Sequence, residues 1–524
     1  MRLFLRMRML LKDLYPRSAG QGQLLMRAPL AAGWLWLAFF TYVILLGIGC
    51  IRHEMWTDEL HSWNLSKGSG SYAELLFNKR YEGHPPGWYT LLWVLSKFTH
   101  RVAFIQLLQW FIALTTVFIL LFFSPIPSRS KVLIPFGYYF LWEYGVFSRN
   151  YNIAILLAFC VCVIIRKEFR FKDVLYYALL FLLSNIHLLG ALLAISLQGY
   201  YLMQEKERGR PLRVLVLHAG LAVLVLLPSV WLSLPPSERH SYGLLRQTAG
   251  YRFRAFYEMP IRAFLPIPAW WKDHFWNSHF LLTLKDQYFF TTFFLSLVAL
   301  LLILPVYRCL RDEPKSLALF TTNLGLSLLV GTFLTSLLTA RHSGFVFVGF
   351  LIAYWLYCKD KPVSDHWISP INLLLALQLA GGLFAFSQDV RRPFSNGFMV
   401  PGLLREVPAG QKWVTDYWTF TAVVAYTDHP AYCVDMKKAL PFIVWGVDIP
   451  TIEKDTNRYT NGLNLLFARK DLRQIYLITH APLEMLERAD SQLHTAYRFS
   501  LVDSRTGAID DGSDLYLFRI EPVH

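Results

Sequence analysis

Five stretches of this chain carry no charged residue over the thickness of a membrane, and they limit what it can fold into. They are Leu30–Cys50, Val102–Phe123, Val214–Leu232, Tyr288–Val306 and Leu317–Leu338. About 20 apolar residues in a helix cross the hydrocarbon core of a bilayer. Backbone polar groups have no water to bond there, so such runs are predicted to be helices. Six shorter runs repeat the pattern: Val132–Phe147, Tyr151–Ile165, Val174–Leu189, Gly190–Met203, Ser343–Tyr357 and Ile371–Phe386. Tiny turns separate several of them, as in helical hairpins within a bundle. Composition agrees, since only 17% of the 524 residues are charged, against about 25% in soluble domains.

The basic residues orient these runs. With the N-terminus inside and eleven crossings, the short inside loops hold Arg129 and Lys131; Arg166, Lys167, Arg170 and Lys172; Lys206, Arg208, Arg210 and Arg213; Arg308, Arg311 and Lys315; Lys359 and Lys361. That is the bias of the positive-inside rule. Residues 1–29 then form a cytoplasmic segment. They hold Arg2, Arg6 and Arg8 but no apolar stretch with a cleavage site, so they do not read as a signal peptide. Residues 30–386 form the membrane domain, with outside loops at 51–101 and 233–287. Residues 387–524 form an outside domain.

The net charge of +15 is topological. From Gln388 onward there are 15 Lys+Arg against 17 Asp+Glu, so the remainder holds 36 against 19. No basic stripe marks a soluble face, and nucleic acid is not expected as a partner. The six cysteines show no metal-ligand spacing, and five lie in or beside predicted membrane helices. In the tail, Lys412–Tyr417 and Gln474–Thr479 read as buried strands and Pro482–Ala489 as a helix. Ala496–Val502 and Leu515–Ile520 alternate as a hairpin would about the turn Gly507–Asp514. The predicted fold is a multi-pass α-helical membrane protein of about eleven transmembrane helices with a small C-terminal α/β domain.

Chemistry gathers in the first outside loop, as Trp56-Thr57-Asp58-Glu59-Leu60-His61-Ser62-Trp63 and then Glu82-Gly83-His84-Pro85-Pro86. If the first stretch is helical, Asp58, His61 and Ser62 share one face while Glu59 and Trp63 share another. One acid then points into a site and its neighbour orients it or binds a helix end. Arg149 and Tyr151 lie at a second outside turn, and Arg341 and His342 at a third. Outside arginines run against the positive-inside trend, and ionisable groups at membrane depth, such as Glu143, are functional candidates. The second outside loop holds Trp270, Trp271 and Trp276 among several arginines, which suits a lid and equally an interfacial anchor.

The Asp58-Glu59 pair just after the first membrane helix, followed by Glu82 and His84-Pro85-Pro86 at the next helix start, resembles the GT-C glycosyltransferases. Within them it is similar to the protein O-mannosyltransferases and to the aminoarabinose transferases that modify lipid A. The block around His84 is closer to the mannosyltransferase pattern. The resemblance covers roughly residues 30–386. It implies a donor sugar on a polyprenyl-phosphate carrier, an acceptor hydroxyl on a lipid, glycan or protein, and inversion at the anomeric carbon. The expected location is a cell inner (plasma) membrane, among membrane lipids, with the C-terminal domain periplasmic; an ER membrane with the same outside topology is the alternative.

The chemistry of that reaction matches the residue types. Polyprenyl phosphate is already a leaving group, so the enzyme supplies a base and fixed positive charge. Asp58 is the expected base, with Glu59 and Glu82 orienting the acceptor or holding a cation. Arg341, His342 and Arg149 are the expected phosphate ligands, because the guanidinium fork suits phosphate. His61, His84, Tyr151, Trp270 and Trp271 are expected to line the substrates. No cofactor is required, while a divalent cation is compatible with the acids. Two other readings are a transporter or flippase of an anionic lipid-linked sugar, and a glycan polymerase or ligase. A transporter should carry internal repeats and broken helices bearing polar groups at the midplane. The long runs here are clean, and the polar clusters lie at their outer ends.

This topology predicts that the tail from Gln388 faces away from the cytoplasm. A reporter active only outside the cytoplasm, fused after His524, should give signal. A silent fusion, with a cytoplasmic reporter active at the same point, overturns the orientation.

Overall fold

The computed structural model describes residues 28–165, 167–234, 249–284, 289–333, 338–361, 365–468 and 472–523. Most of the expected 1–29 segment lies outside these residues, as do Arg166, Arg239, Arg246 and Lys285. Among the described residues six helices are long and apolar enough to cross a bilayer: Gly33–Arg52, Ala103–Phe123, Leu212–Ser233, Phe290–Leu310, Pro314–Phe333 and one that begins at Ile368. The first five coincide with the five uncharged runs. Shorter runs form the helices Asn150–Ile164, Lys172–Ile186, Leu188–Glu207 and Ala340–Asp360. One extended residue, His187 at φ −155° and ψ 147°, parts the second from the third.

The run Val132–Phe147 departs from a plain helix. It folds as a 3-10 turn at Ile134–Phe136 and a π-helical turn at Tyr138–Glu143. Everything from Tyr138 to Asn150 is buried. Irregular backbone at this depth needs partners from its neighbours. Tyr42 Oη donates to the Phe140 carbonyl at 2.8 Å, and Gln109 Nε2 and Asn152 Nδ2 both donate to the Tyr144 carbonyl, at 2.6 and 2.8 Å. Gly145 allows the tight pass, because a Cβ there would lie 2.3 Å from the Phe140 oxygen. The segment is therefore a buried wedge that ends in Ser148 and Arg149.

The tail folds around a six-stranded sheet in the order β3-β2-β1-β4-β6-β5. Its strands are β1 Trp413–Thr415, β2 Ala431–Cys433, β3 Lys438–Leu440, β4 Ile475–Thr479, β5 Tyr497–Arg505 and β6 Leu515–Pro522. Among the described residues only the β1 pairings, with β2 and β4, are parallel. The expected strands, the helix at Leu483–Ala489 and the hairpin are all present. The short β2–β3 hairpin turns at Lys437, whose φ is +57°, and was not apparent from the alternation.

This domain is docked on the membrane domain. Ile509, in the β5–β6 turn, is fully buried in the membrane domain's core. Its N–H donates to the Pro393 carbonyl at 3.0 Å, and the Asp510 N–H to Phe394 at 2.9 Å. The helix Thr57–Gly68 meets the other side of the tail. Asn64 Nδ2 donates to the Thr421 carbonyl at 2.8 Å, and Lys67 pairs with Asp428 at 2.6 Å. Asn64 is thereby a buried interdomain strut.

One ionic knot fixes the end of the first membrane helix. His53 lies between Glu59, 3.2 Å from its Nε2, and Asp389, 2.9 Å from its Nδ1. Burial opposes the imidazolium charge, but Asp389 and Glu59 outweigh it and push the pKa up to about 10. Helices in lipid gain little from hydrophobic burial against each other, so such polar ties count. Removing one partner of a buried ion pair costs about 3–5 kcal/mol. His53→Ala should lower the thermal midpoint of the purified protein accordingly. The pH dependence has a definite sign. A raised folded pKa gives stability that is full below the unfolded value near 6.5 and is lost as pH rises toward about 10. Wild-type thermal stability should decline across that window, and His53→Ala should lose that part of the slope. A steep slope retained in the variant would contradict this role.

Candidate active site at the outer face

Asp58 sits in the first turn of the helix Thr57–Gly68, which starts five residues after the first membrane helix ends at Arg52. Trp56 is extended, at φ −92° and ψ 176°, and its N–H donates to Glu59 Oε2 at 3.1 Å. That bond turns Glu59 inward and leaves Asp58 facing the opposite way. Arg149, at the start of the helix Asn150–Ile164, clamps the turn from the far side. Its Nη1 donates to the Asp58 carbonyl at 2.6 Å and to Ser62 Oγ at 2.8 Å. Burial works against the Arg149 charge, and Asp58 leads the groups that hold it on.

The Asp58 carboxylate faces Arg341, with Oδ2 3.7 Å from Nη2. Arg341 projects from the first turn of the helix Ala340–Asp360, and its guanidinium lies over the rings of Trp56 and Trp276, at 4.8 and 5.2 Å. This cation–π cage holds the fork without satisfying it. Arg341 Nε and Nη1 are buried with no hydrogen-bond partner among the described residues, as is Arg149 Nε. A buried unmatched donor is costly, so each such group calls for an explanation. Two neighbouring arginines with spare donors form a ready anion site.

Neutral imidazoles complete this wall. His84 is fully enclosed, and burial with Arg149 behind it pushes its pKa down to about 3. Its ring lies 5.1 Å from that of His187, which lies 4.9 Å from Tyr151. Tyr151 Oη is 3.5 Å from His342 Nε2, and His342 Nδ1 is 2.9 Å from Thr339 Oγ1. Burial and Arg341 hold His342 well below its usual range. The positive charge here is therefore arginine's, while the histidines offer uncharged donors and acceptors. On the other flank His61 Nε2 is 3.0 Å from Glu82 Oε1, and its ring stacks on Trp445 of the tail at 4.0 Å and 12°. Gly83, at φ +70°, makes the turn that separates Glu82 from His84.

Asp58, Arg149, Arg341, His342, Tyr151, His84, His61 and Glu82 thus gather at the outer ends of the helices. Three expected residues stand elsewhere. Glu59 is wholly buried and spent as a strut: besides Trp56 N–H it receives His53 Nε2, and its other oxygen accepts the Ser148 N–H at 2.5 Å. Trp270 and Trp271 are 58% and 56% exposed and contact each other edge-on at 4.8 Å. They sit on the outer rim of their loop, because its inward turn comes later. Trp276 is the tryptophan that enters the site, against Trp56 at 4.6 Å and with Nε1 3.3 Å from Glu143 Oε2. Glu143 could be noticed as a lone acid in an apolar run, but nothing in the loop's composition separates Trp276 from its neighbours. Among the described residues no three His, Cys, Asp or Glu side chains converge as metal ligands would.

The fold is similar to that of ArnT from Cupriavidus metallidurans in the apo state. The TM-score is 0.53 at 10% identity, over 93% of this chain and 98% of that one. Another structure of that protein, bound to undecaprenyl phosphate, gives a TM-score of 0.42 at 13% identity, over 96% and 98%. No protein-family profile matches the chain, and no curated protein matches it. The multi-pass helical domain with a small C-terminal α/β domain expected from the sequence is present, and its fold is like that of the ArnT structure.

The placement of Glu59 separates stability from chemistry. Glu59→Gln keeps one acceptor oxygen and loses the charge that faces His53, so it should cost about 1–3 kcal/mol. Turnover per folded molecule should stay near wild type. A fall in turnover as large as that of Asp58→Asn, with an unchanged thermal midpoint, would contradict the strut role.

Proposed function

We propose that this chain is a glycosyltransferase that moves a sugar from a polyprenyl-phosphate carrier to an acceptor hydroxyl on the non-cytoplasmic face of a membrane, inverting the anomeric carbon. The observation that carries the reading is the pairing of Asp58 with a caged arginine whose Nε and Nη1 have no partner among the described residues. A base and a set of spare guanidinium donors lie side by side, at the level where a lipid phosphate would stand. The cell inner membrane, with the tail in the periplasm, is part of the same proposal.

In this reading the phosphate occupies the spare donors of Arg341 and Arg149, with His342 adding a neutral contact. The acceptor hydroxyl enters opposite, beside Asp58, with Glu82 and His61 on its flank. The acceptor oxygen attacks the anomeric carbon as its proton passes to Asp58 Oδ. The bond from that carbon to the phosphate oxygen breaks, and the electron pair leaves on polyprenyl phosphate. Arginine charge stabilises the departing anion, and such preorganised charge is usually the largest catalytic term. The Arg149 grip on the Asp58 carbonyl keeps the base from following the phosphate.

A positioned base contributes about 10²–10⁴-fold to rate. Asp58→Asn should lower single-turnover transfer by that order in reconstituted protein, with donor binding intact. Near-normal transfer would exclude Asp58 as the base and turn attention to Glu82. A charge-assisted contact to phosphate is worth about 1.5–3 kcal/mol, so Arg341→Ala should weaken donor binding about ten- to hundredfold. Arg341→Lys should recover only part, since the fork is lost. Unchanged donor affinity in Arg341→Ala nanodiscs would remove Arg341 from the phosphate site.

A further inference from the structure

His187 stands alone between the helices Lys172–Ile186 and Leu188–Glu207, and it caps the second of them. Its Nδ1 accepts the Leu189 N–H at 2.9 Å. A ring nitrogen that accepts carries no proton, so the imidazole is neutral and its proton sits on Nε2. That N–H is buried and has no hydrogen-bond partner among the described residues. Capping alone does not call for it. Ser, Asn or Asp caps a helix well without a second ring nitrogen to satisfy.

The neighbours of this donor belong to the wall of the site. The His187 ring lies 5.1 Å from His84 and 4.9 Å from Tyr151, and Phe345 stacks on it at 5.6 Å and 19°. Gly87 lets the His84 turn come this close, because a Cβ there would lie 2.6 Å from the Asn185 carbonyl oxygen. Asn150 ties in at the same junction, with Nδ2 donating to the Ile186 carbonyl at 3.1 Å. Its Oδ1, an acceptor, is buried with no partner among the described residues, and so is His84 Nδ1. Tyr151 leads on to His342, with Oη 3.5 Å from Nε2. Arg149 precedes Asn150 in the chain, and its Nε is unmatched too. The unmatched atoms therefore continue from the arginines into this wall, and they include both donors and an acceptor. Buried polar groups left over in this way call for a partner from outside the chain.

We propose that His187 is a sugar-binding residue of the donor site, and that the wall of His84, His187, Asn150 and Tyr151 takes the hydroxyls of an uncharged sugar. This rests on the transferase reading, with the carrier phosphate on Arg341 and Arg149. A hydroxyl both donates and accepts, so it can take the His187 N–H and give its own proton to Asn150 Oδ1. An ammonium group only donates. It leaves the His187 and Arg149 N–H groups unmatched and meets arginine charge that repels it. A carboxylate only accepts, and it leaves Asn150 Oδ1 unmatched. The acids that would attract an amine are engaged elsewhere, Glu82 with His61 and Asp58 with Arg341. The donor sugar is then neither an amino sugar nor a uronic acid.

The test is ligand binding to the full chain in nanodiscs. The ligands are bare polyprenyl phosphate and the same carrier bearing glucose, mannose, galactose or glucosamine. Two variants separate the two ring nitrogens. His187→Asn keeps an acceptor where Nδ1 caps the helix and loses the Nε2 donor. His187→Gln keeps a donor near Nε2 and loses the cap. Wild type should bind a neutral-sugar carrier more tightly than the bare phosphate. His187→Asn should weaken that carrier about tenfold, as for one buried hydrogen bond lost, with bare-phosphate affinity and thermal midpoint unchanged. His187→Gln should hold most of the sugar affinity and melt lower. Unchanged sugar-carrier affinity in His187→Asn, as when an ordered water alone meets the Nε2 proton, overturns the inference and spares the transferase reading. Tighter binding of the glucosamine carrier than of the glucose carrier overturns the neutral class. No gain over bare phosphate from any neutral sugar also overturns the inference. No binding of any of these ligands by the wild-type chain overturns the transferase reading with it.

Discussion

The buried ion set Glu59–His53–Asp389 governs the geometry of everything at the outer face. Two acids and one imidazolium sit in a region where an isolated charge is very costly. The extra bonds make it tolerable: Trp142 Nε1 donates to Asp389 at 2.7 Å, and the Trp56 and Ser148 N–H groups donate to Glu59. Four chain segments thereby meet at one point, two of them far from the others in sequence. They are the end of the first membrane helix, the first-loop helix, the π-helical wedge and the last membrane helix. Because Glu59 is drawn into this set, its neighbour Asp58 is turned outward toward Arg341.

That division of labour explains how far the sequence could be read. The uncharged runs follow from bilayer thickness alone, and the tail's hairpin follows from two apolar-rich runs either side of the turn Gly507–Asp514. The Asp58-Glu59 pair was legible as two acids on different helical faces, with one in a site and the other as its support. Which acid took which role depended on Asp389, a residue at the far end of the membrane domain. No local pattern carries that information. His53 was illegible for the same reason, as an ordinary residue at a helix end until its two partners are brought to it. The wedge at Val132–Phe147 read as a short helix because apolar content does not distinguish α from π turns. Only Tyr42, Gln109 and Asn152, supplied by other helices, make the irregular path affordable. Trp270 and Trp271 were expected in the site because all three tryptophans of the loop share one composition, and only the path of the chain sends Trp276 inward.

The site divides its charges by depth. Arginines stand at the helix ends, whereas burial holds His84 and His342 below the usual imidazole range. A phosphate arriving there meets fixed positive charge and uncharged hydrogen-bonding groups. Carboxylates lie on the opposite flank, toward the tail. Arg149 joins the two halves, with its guanidinium on the Asp58 carbonyl and its Nε unmatched. The soluble domain reaches the same place through Trp445 on His61.

The central claim is that the unmatched arginine donors are the seat of a lipid phosphate next to Asp58. The most direct measurement is a structure of the full chain in nanodiscs containing polyprenyl phosphate. Phosphate oxygens should lie within hydrogen-bonding distance of Arg341 Nε and Nη1, with the prenyl chain running down between the helices Asn150–Ile164 and Ala340–Asp360. Phosphate bound elsewhere, with the Arg341 cage left as it is, would contradict it.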